Sequence, residues 1–398
     1  MTENAYAPRF PEVRENPYDP PSSYRLGRGG PYRTALSYGG HAWMVTDLET
    51  ARAVLADVRF SSDSTNPDYP NLPLSSKHRV PGHFLSMDPP DHTAMRRMVT
   101  SDFSATRVRR LRPKVDTVVS DLINTLVGGG ASSGDLTATV AVPLPGAGTA
   151  EMFGVPEDQR SVFMDCARRL QIQDATTARR VAISGRTNRL LTKMIEAKAD
   201  APGNDILSRL ARLRAGGALT TEQAVGIANL ILVAGLETVA GLFSLTMLSL
   251  LRDESQRRLI SESPRRWAGP AVNESLRYWT VIEQGVARVC TDEVEIGGQL
   301  IRKGDAVIVH LPTVNRDPSV FPCPDEFDMT RNPQGHLAFG HGVHHCLGSS
   351  VAQLQTELAV TALFERLPQL RLIQPEGPFE FLDDMLVYGL RELQVTWS

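Results

Sequence analysis

The residues with the clearest chemical meaning lie in one segment near the C-terminus, Phe339-Gly340-His341-Gly342-Val343-His344-His345-Cys346-Leu347-Gly348. A cysteine thiolate is a strong ligand for iron and for zinc. The glycines around Cys346 allow a tight backbone turn, and N–H groups in such a turn can donate hydrogen bonds to the sulfur and tune its potential. The segment therefore predicts a metal site with Cys346 as a protein ligand.

Zinc is the alternative to iron at this segment, because three histidines lie beside the cysteine, at positions 341, 344 and 345. Structural zinc usually recruits a closely spaced cysteine pair or a second ligand pair at a distance. The chain contains no Cys-x-x-Cys, and its cysteines are scattered: Cys166, Cys290, Cys323 and Cys346. The spacing therefore argues against a structural zinc site.

All six fixed positions of the segment match F-G-x-G-x-H-x-C-x-G, so it resembles the haem-binding signature of the cytochrome P450 family. The resemblance implies haem b (iron protoporphyrin IX) as the cofactor, with Cys346 as the axial ligand of its iron. Phe339 is expected to pack beside this ligand, and His344 to reach a haem propionate. Three glycines are expected to pass close under the porphyrin, where a Cβ would collide: Gly340, Gly342 and Gly348.

A second motif lies within a long apolar stretch. Ala234-Gly235-Leu236-Glu237-Thr238 resembles the A/G-G-x-D/E-T motif of the same family, which lies over the distal face of the haem in relatives. Gly235 would leave room for dioxygen, Thr238 would hold a proton-delivering water, and Glu237 would feed the proton relay. The Thr238 hydroxyl can bond the carbonyl one turn back, so we expect the helix to open locally. The alternative is a self-satisfied core threonine beside a glutamate in a buried salt bridge.

Two haem propionates require cationic partners, and three residues besides His344 are candidates. His92 and Arg96 are spaced i,i+4, which places them on one face of a helix. Arg288, in Ala287-Arg288-Val289, matches a further propionate partner of the family. Arginine suits a carboxylate because its guanidinium can bind two oxygens at once. Taken singly, each of these cations is equally typical of a protein surface.

The family's second signature, E-x-x-R, occurs five times, at Glu49–Arg52, Glu157–Arg160, Glu254–Arg257, Glu262–Arg265 and Glu274–Arg277. The i,i+3 spacing lets each pair meet on one helix face. Position selects Glu274 and Arg277, because they precede a predicted hairpin and lie upstream of the cysteine. We expect this pair to hold the cysteine segment beneath the haem, and the other pairs to be solvated and to contribute little.

Composition limits the class of protein. The chain has 398 residues, of which 41% are hydrophobic, enough for a large core. A net charge of −3 argues against nucleic acid as the main partner. Scattered cysteines indicate a reducing compartment, and the polar first 15 residues lack an apolar secretory segment. A cytoplasmic location is therefore predicted.

Residues 224–251 are apolar enough to be mistaken for a membrane span. Asn229 and Glu237 interrupt the stretch, and a charge at its middle would be costly in lipid. A helix that is apolar on all sides is typical of the core of a large soluble protein. We therefore expect a long central helix and no membrane.

The elements that position these residues are mainly helical. The apolar spacing predicts helices between residues 106 and 265, with residues 128–134 as a loop. A strand is predicted at 42–46, followed by a helix capped by Thr46 or Asp47, and a hairpin at 294–301 precedes a strand at 306–309. The resemblance implies a mainly α fold with small β-sheets: a single cytochrome P450 domain over residues 1–398, without a fused reductase. The haem would lie between the central helix and the cysteine segment.

Three stretches depart from the family pattern. Residues 349–353 read Ser-Ser-Val-Ala-Gln where relatives usually have Ala-Pro-Leu-Ala-Arg. Two glycines fall within the helix predicted near residues 143–149, each costing about 1 kcal/mol relative to alanine. Trp279 stands where smaller residues are common, so it either narrows the pocket or packs in the core.

The resemblance implies a soluble, monomeric haem-thiolate monooxygenase, of the kind that tailors secondary metabolites in actinobacteria. Its partners would be O2, a lipophilic small molecule, and external ferredoxin and ferredoxin reductase. The alternatives are oxidative coupling or desaturation by the same haem, and a non-catalytic haem sensor or electron carrier. A proton relay at Thr238 would have no use in a carrier.

Two basic clusters have open interpretations. Cations at positions 97–114 form either a solvated helix face or a docking surface for an acidic ferredoxin: Arg97, Arg107, Arg109, Arg110, Arg112 and Lys114. The arginines of the expected lid over the pocket form either a solvated face, which is favoured, or a site for an acidic group or carrier protein: Arg168, Arg169, Arg179, Arg180, Arg186 and Arg189. The expected pocket walls are residues 67–85, 170–186, 230–233, 281–285 and 383–388.

Overall fold

The fold is given by a computed structural model, which describes residues 9–27, 29–72, 77–171, 177–382 and 386–397. Its helices are α1 (Leu48–Ala56), α2 (Asp91–Thr100), α3 (Ala105–Leu126), α4 (Pro143–Phe153), α5 (Glu157–Leu170), α6 (Thr177–Asp200), α7 (Ile206–Ala215), α8 (Thr221–Arg252), α9 (Glu254–Glu262), α10 (Pro264–Trp279), α11 (Leu311–Val314) and α12 (Ser349–Arg366). Its strands are β1 (Arg9–Phe10), β2 (Tyr32–Leu36), β3 (His41–Val45), β4 (Phe60–Ser61), β5 (Ser133–Asp135), β6 (Val286–Cys290), β7 (Val294–Ile296), β8 (Gln299–Ile301), β9 (Ala306–Val309), β10 (Arg371–Leu372) and β11 (Gln394–Thr396).

The strands form small sheets at the edges of a helical body. The largest has the order β1-β2-β3-β9-β6-β4, and β10-β11-β5 and β7-β8 form the others. The predicted hairpin is confirmed as β7–β8, in which Val294 pairs with Ile301. The strand that follows it, β9, leaves the hairpin and lies between β3, to which it is parallel, and β6, to which it is antiparallel.

Helix α8 is the long central helix that the apolar stretch predicts. It is 32 residues long, about 48 Å by helical rise, and its last turns from 241 to 251 are wholly buried. A capping box starts it: Thr220 Oγ1 accepts from Gln223 N–H at 3.2 Å, and Gln223 Oε1 accepts from Thr220 N–H at 2.9 Å. Within the described ranges α8 is the one helix apolar enough to cross a membrane, yet 61% of its most apolar window is buried inside the protein.

Local signals fix several boundaries. Asp47, one of the two predicted caps, caps α1 by accepting from Thr50 N–H at 2.8 Å. The preceding strand runs from His41 to Val45, one residue earlier than predicted. The predicted loop at 128–134 contains a 3₁₀ turn and the start of β5, which pairs with β11 from the far end of the chain. Sequence periodicity could not show β5, because its partner strand lies more than 250 residues away.

Two departures from the family pattern, the glycines of α4 and Trp279 at the end of α10, are explained by packing. In α4 a Cβ on Gly148 would lie 2.6 Å from the Gln355 amide of α12, and one on Gly146 would lie 3.1 Å from the Ala167 methyl of α5. The two glycines therefore let α4 pack closely against both helices. Trp279 is 1% exposed, and its indole N–H donates to Ser249 Oγ at 2.8 Å. It belongs to the core.

Candidate active site

The cysteine loop, residues 339–348, is a tight turn that ends at the start of α12. Cys346 N–H donates to the Phe339 carbonyl at 2.8 Å, and a 3₁₀ turn, Gly342–His344, closes the loop. Because α12 begins at Ser349, the backbone N–H groups of Gly348 and Ser349 point toward the Cys346 sulfur. The sequence thus places the sulfur at a helix N-terminus, where negative charge is favoured.

The pKa of the Cys346 thiol reflects two opposed effects. Burial among protein atoms raises this pKa, while the N–H groups of Gly348 and Ser349 and the nearby Arg96 lower it. The side chain is nevertheless accessible to solvent. A group that is both surrounded by protein and accessible lies on the wall of a cavity, which is where a metal ligand must be.

The loop glycines have different roles. Gly340 has φ +70°, and a Cβ on Gly340 or on Gly348 would meet open space. Gly342 also has φ +70°, but its Cβ would lie 2.4 Å from the Leu55 carbonyl oxygen at the end of α1. Gly342 therefore allows the loop to pack on α1, and the position of the three glycines under the porphyrin stays a prediction.

The zinc alternative is not supported. Among the described residues no group of three or more His, Cys, Asp or Glu side chains converges to hold a metal ion. His344 lies against His92, with ring centroids 4.2 Å apart, while His345 lies against Phe339 at 6.3 Å. The histidines beside the cysteine therefore point in different directions.

Four basic side chains gather beside the cysteine loop from three parts of the chain. His92 and Arg96 come from α2, Arg288 from β6 and His344 from the loop itself. Burial is the main cause that lowers the pKa of His344, to about 3, and Arg288, His92 and Arg96 lower it further. The structure thus brings together the four basic side chains that the sequence proposes as propionate partners. Arg96 also ties α2 to the loop by donating to the His345 carbonyl at 2.5 Å.

Within the described part of the chain, two of these basic side chains, His92 and Arg288, lack partners that a buried polar group normally has. His92 is 1% exposed, yet neither of its ring nitrogens has a hydrogen-bond partner among the described residues. Arg288 is 7% exposed and donates to the Ala287 carbonyl at 2.8 Å, while no described carboxylate lies within salt-bridge distance of it. Burying a cation without an anion is costly. A ligand with two carboxylates would satisfy both groups, so the residues fit haem.

The A-G-L-E-T motif lies where α8 is least covered by protein. Val233 is 43% exposed although most of the helix is buried, and Ala234 is also exposed. A Cβ on Gly235 would meet open space. The Thr238 hydroxyl donates to the Ala234 carbonyl at 2.7 Å, the contact that the sequence predicts, but α8 continues as an unbroken helix rather than opening.

The motif and the cysteine loop border the same region. Leu236 of the motif belongs to an apolar cluster against which Leu347 packs. Leu242, one turn beyond Thr238, belongs to a cluster against which Phe339 packs. Residues on either side of Thr238 therefore share apolar clusters with Leu347 and Phe339 of the cysteine loop. Burial raises the pKa of Glu237, and Arg180 of α6 lowers it by charge.

The Glu274–Arg277 pair is fully buried, with 0% exposure of either side chain. Arg277 Nε and Nη2 bond the two carboxylate oxygens at 2.9 and 2.7 Å. The other hydrogen bonds of the pair go to the chain that precedes the cysteine loop. Arg277 donates to the carbonyls of Asn315, Pro324 and Glu326, and Glu274 accepts from the Asp328 N–H and from Arg331.

Other copies of E-x-x-R are exposed. The glutamates of Glu157–Arg160 and Glu254–Arg257 are 88% and 78% exposed. In the Glu262–Arg265 copy the two residues pair elsewhere, with Arg258 and Glu365. Position in the sequence therefore selected the one buried pair.

Sequence reasoning missed the polar residues that join α10 to the cysteine loop. The Asn273 side chain donates to the Pro333 carbonyl at 2.9 Å and lies 3.1 Å from His336 Nε2. Asn315 is fully buried, accepts from the Leu337 N–H at 2.6 Å and donates to the Thr280 hydroxyl. Asn273 directly precedes Glu274, and this position next to the E-x-x-R motif was the sequence signal that could have identified it.

Three comparisons place the chain among known proteins. A family model described as Cytochrome P450 matches residues 269–382. Cytochrome P450 105A3 of Streptomyces carbophilus is 38% identical over 98% of this chain and 96% of its own, and Vitamin D3 dihydroxylase of Streptomyces griseolus is 35% identical over 98% and 97%. The crystal structure of cytochrome P450 MoxA from Nonomuraea recticatena has a TM-score of 0.92, with 34% identity over 98% of both chains.

A cysteine at a helix start, buried basic side chains without acidic partners among the described residues and a mainly helical body together fit a haem-thiolate protein. The chain belongs to the cytochrome P450 family, and it is a cytochrome P450 monooxygenase with haem b as its cofactor. The mainly α fold with small sheets that the sequence predicts is confirmed by the likeness to solved family members.

Proposed function

We propose that the enzyme inserts one atom of O2 into a bulky lipophilic small molecule, by hydroxylation or epoxidation, and so tailors a secondary metabolite. The observation that carries this proposal is the exposed stretch of α8 with Thr238 and Glu237, next to the cysteine loop. An electron carrier needs neither an open space on the distal side nor a proton source there. The haem supplies oxygen activation when bound.

The chain's own residues would hold the haem from three sides. Cys346 would ligate the iron, with Gly348 and Ser349 N–H groups donating to its sulfur. The propionates would be held by His92, Arg96, Arg288 and His344, because these basic side chains lie together and the His92 ring has no hydrogen-bond partner among the described residues. Three residues would shape the loop: Phe339, Gly340 and Gly348. Glu274 and Arg277 would act structurally, by fixing the chain that leads into the loop.

Proton delivery is assigned to Thr238 and Glu237. The raised pKa of Glu237 lets its carboxyl carry a proton closer to neutral pH than an exposed glutamate does. The Thr238 hydroxyl donates to Ala234 and so keeps its oxygen free to accept a hydrogen bond from water. Together they would hold a water and resupply its proton where O2 binds.

The substrate class follows from the exposed apolar residues around this site. Val233 of α8 and Val181 of α6 are 43% and 68% exposed, an unusual state for valines on helices that pack together. The related Vitamin D3 dihydroxylase takes, by its name, a bulky lipophilic substrate. Parts of the expected walls, residues 73–76, 172–176 and 383–385, lie outside the described residues.

The lid arginines support the solvated-face interpretation rather than an acidic substrate. Arg168, Arg169 and Arg186 all pair with Asp165, at 3.3, 2.8 and 3.4 Å. Three charges shared with one partly exposed carboxylate are typical of a helix surface in water. We therefore favour a neutral lipophilic substrate.

For electron supply we propose a separate ferredoxin and ferredoxin reductase, acting on a soluble cytoplasmic monomer. On the basic face of α3, Arg112 pairs with Glu357 at 3.2 Å and Lys114 with Glu151 at 3.1 Å. Arg97 of α2 and Arg110 of α3 are exposed. Their positive charges would attract an acidic partner.

The proposed function is tested by reconstitution with labelled oxygen. Compounds from a lipophilic natural-product library are first selected by a spin-state shift of the haem. The enzyme is then supplied with NADPH, ferredoxin, ferredoxin reductase and ¹⁸O2. We expect a product that carries one ¹⁸O atom, no turnover without ferredoxin, and slower turnover at high salt. A product without label would instead identify coupling or desaturation by the same haem.

A further inference from the structure

A buried arginine from the start of the chain lies behind two segments near the active site. Arg14 is 7% exposed, and it forms a bidentate pair with the Glu283 carboxylate: Nε lies 2.8 Å from Oε1, and Nη2 bonds Oε2. Its guanidinium also covers the Tyr388 ring, 3.9 Å from the ring centroid. Arg14 therefore joins three parts of the chain that are each more than 100 residues apart.

The two segments that Arg14 holds are also joined through their backbones. Glu283 N–H donates to the Leu386 carbonyl at 2.9 Å, and Tyr388 N–H donates to the Val281 carbonyl at 2.7 Å. Ile282 pairs with Val387 in an isolated antiparallel bridge. We call residues 281–284 and 386–388 the two-segment wall.

The two-segment wall contacts α8 one turn beyond Thr238. A Cβ on Gly241 would lie 2.5 Å from the Tyr388 carbonyl oxygen and 3.5 Å from a Val387 methyl. Val281 of the wall packs against the same apolar cluster as Phe339 of the cysteine loop. Glu283 is buried where it meets Arg14, while Ile282 beside it is partly exposed. The wall therefore borders the site through its apolar residues and meets Arg14 through Glu283.

Stability alone does not explain a buried ion pair at this position. Apolar residues of similar volume are often as stable as a buried pair, and such pairs can serve instead to fix one arrangement of the chain. One Arg14 nitrogen, Nη1, has no hydrogen-bond partner among the described residues, so the guanidinium is not fully satisfied. The contacts it does make go to the two segments of the wall.

We propose that Arg14 is a positioning residue for substrate selection: it holds the two-segment wall in one position, so that Ile282 offers a fixed apolar surface to a bulky substrate. The inference rests on the proposed function in one respect, namely that the cavity beside Thr238 receives the substrate. Loss of Arg14 would let the wall move, and a large ligand would then have to order the wall on binding. Small ligands that do not reach the wall would be unaffected.

The test uses the ferric holoenzyme and two azoles, imidazole and clotrimazole, whose nitrogen ligates haem iron and is followed by the absorbance shift. The Arg14→Met/Glu283→Gln variant removes both charges together, so that neither is left buried alone. We expect clotrimazole to bind about tenfold more weakly to this variant and imidazole to change less than about twofold. Arg14→Lys keeps the charge but loses the bidentate geometry, and it should weaken clotrimazole about threefold.

Arg25→Met is the matched control, because Arg25 lies in the same N-terminal part of the chain and pairs with Asp325 at 2.6 Å in an exposed setting. It should change neither azole. An unchanged ratio of the two affinities in both Arg14 variants, or an equal change in Arg25→Met, overturns the proposal. If the double variant loses the thiolate-type CO spectrum, the proposal is judged by Arg14→Lys alone. It then stands or falls on whether the ratio of clotrimazole to imidazole affinity changes in that variant. No turnover is involved, so a failure of oxygenation leaves this result unaffected.

Discussion

At the scale of single residues, the same side-chain type has different roles according to its surroundings. Cys346 is accessible and lies at a helix start, whereas Cys166 and Cys290 are buried, and Cys290 donates to the Asp292 carbonyl. Thr238 lies in an exposed stretch of α8, whereas Thr246 of the same helix is buried and bonds Ser275 Oγ at 2.8 Å. Burial therefore excludes Cys166, Cys290 and Thr246 from the site. Cys323 is exposed as well, and Cys346 differs from it by lying in the loop that ends at the start of α12.

Replacing the proposed ligand should abolish the haem-thiolate state. Cys346→Ser removes the thiolate, so the reduced CO complex should lack its thiolate-type absorbance band, and oxygenation should be lost completely. Cys166→Ala and Cys323→Ala are the controls and should keep both. A thiolate-type spectrum in Cys346→Ser would assign the ligand to another residue.

Replacing the proposed proton donor should uncouple the enzyme. In Thr238→Ala, haem and substrate should still bind, but proton delivery contributes typically 100-fold to 10,000-fold, so product formation should fall by a large factor. NADPH should still be consumed, with hydrogen peroxide released instead of product. The measurement is product formed per NADPH consumed in variant and wild type. Thr246→Ala, on the buried part of α8, is the control, and an equal ratio for Thr238→Ala and wild type would show that Thr238 delivers no proton.

At the scale of elements, buried polar contacts fix the cysteine loop from α10. Glu274 and Arg277 hold the chain at Asp328 and Glu326, and Asn273 reaches Pro333. Glycine contributes on the opposite side, where Gly342 packs against the last turn of α1. The loop is therefore held between two helices, and weakening either contact should loosen the ligand rather than alter it chemically.

Breaking the buried pair in α10 should release the loop. Glu274→Gln leaves the Arg277 charge buried and only partly paired, a change that costs about 3 kcal/mol of folding free energy. We expect a lower urea midpoint and partial conversion of the thiolate-type CO spectrum to an inactive form. Glu254→Gln alters an E-x-x-R copy whose glutamate is 78% exposed, and it should cost at most about 0.5 kcal/mol. Equal effects of the two substitutions would contradict the role of Glu274.

At the scale of the whole molecule, the N-terminal segment and the sheet meet around a fully buried histidine. His310 follows β9, and its ring lies edge-on to Tyr24, with centroids 4.7 Å apart, while Nδ1 lies 2.8 Å from Thr313 Oγ1. Burial lowers the pKa of His310 to about 4, with Arg14 lowering it and Glu283 raising it to smaller extents. The His310 side chain is therefore uncharged at neutral pH.

The buried histidine should make the fold sensitive to acid. The pKa of an unfolded histidine is about 6.5, so between pH 6.5 and about 4 the unfolded chain binds a proton that the folded chain excludes. Stability should therefore fall as pH falls through this window, by up to about 3 kcal/mol from this residue. In His310→Gln the loss of stability between pH 7 and pH 4.5, measured by urea unfolding, should be smaller than in wild type. An identical loss would show that His310 does not contribute.

The sequence by itself determined the features that depend on neighbouring residues. The tight turn around Cys346 and the central helix α8 were predictable, because glycine spacing and apolar periodicity are local properties. The ligand role of Cys346 stays a prediction. The hairpin β7–β8 and the Asp47 cap were predictable for the same reason.

Only the tertiary structure decided which residues meet and which are buried. Several E-x-x-R copies look alike in sequence, and packing buried the pair in α10 while leaving the glutamates of two others exposed. Packing also gave Gly342 a neighbour in α1 and brought Arg14 to Glu283, 269 residues away. Such partners are set by how helices and strands pack across the whole chain, and no local pattern encodes a contact between residues so far apart.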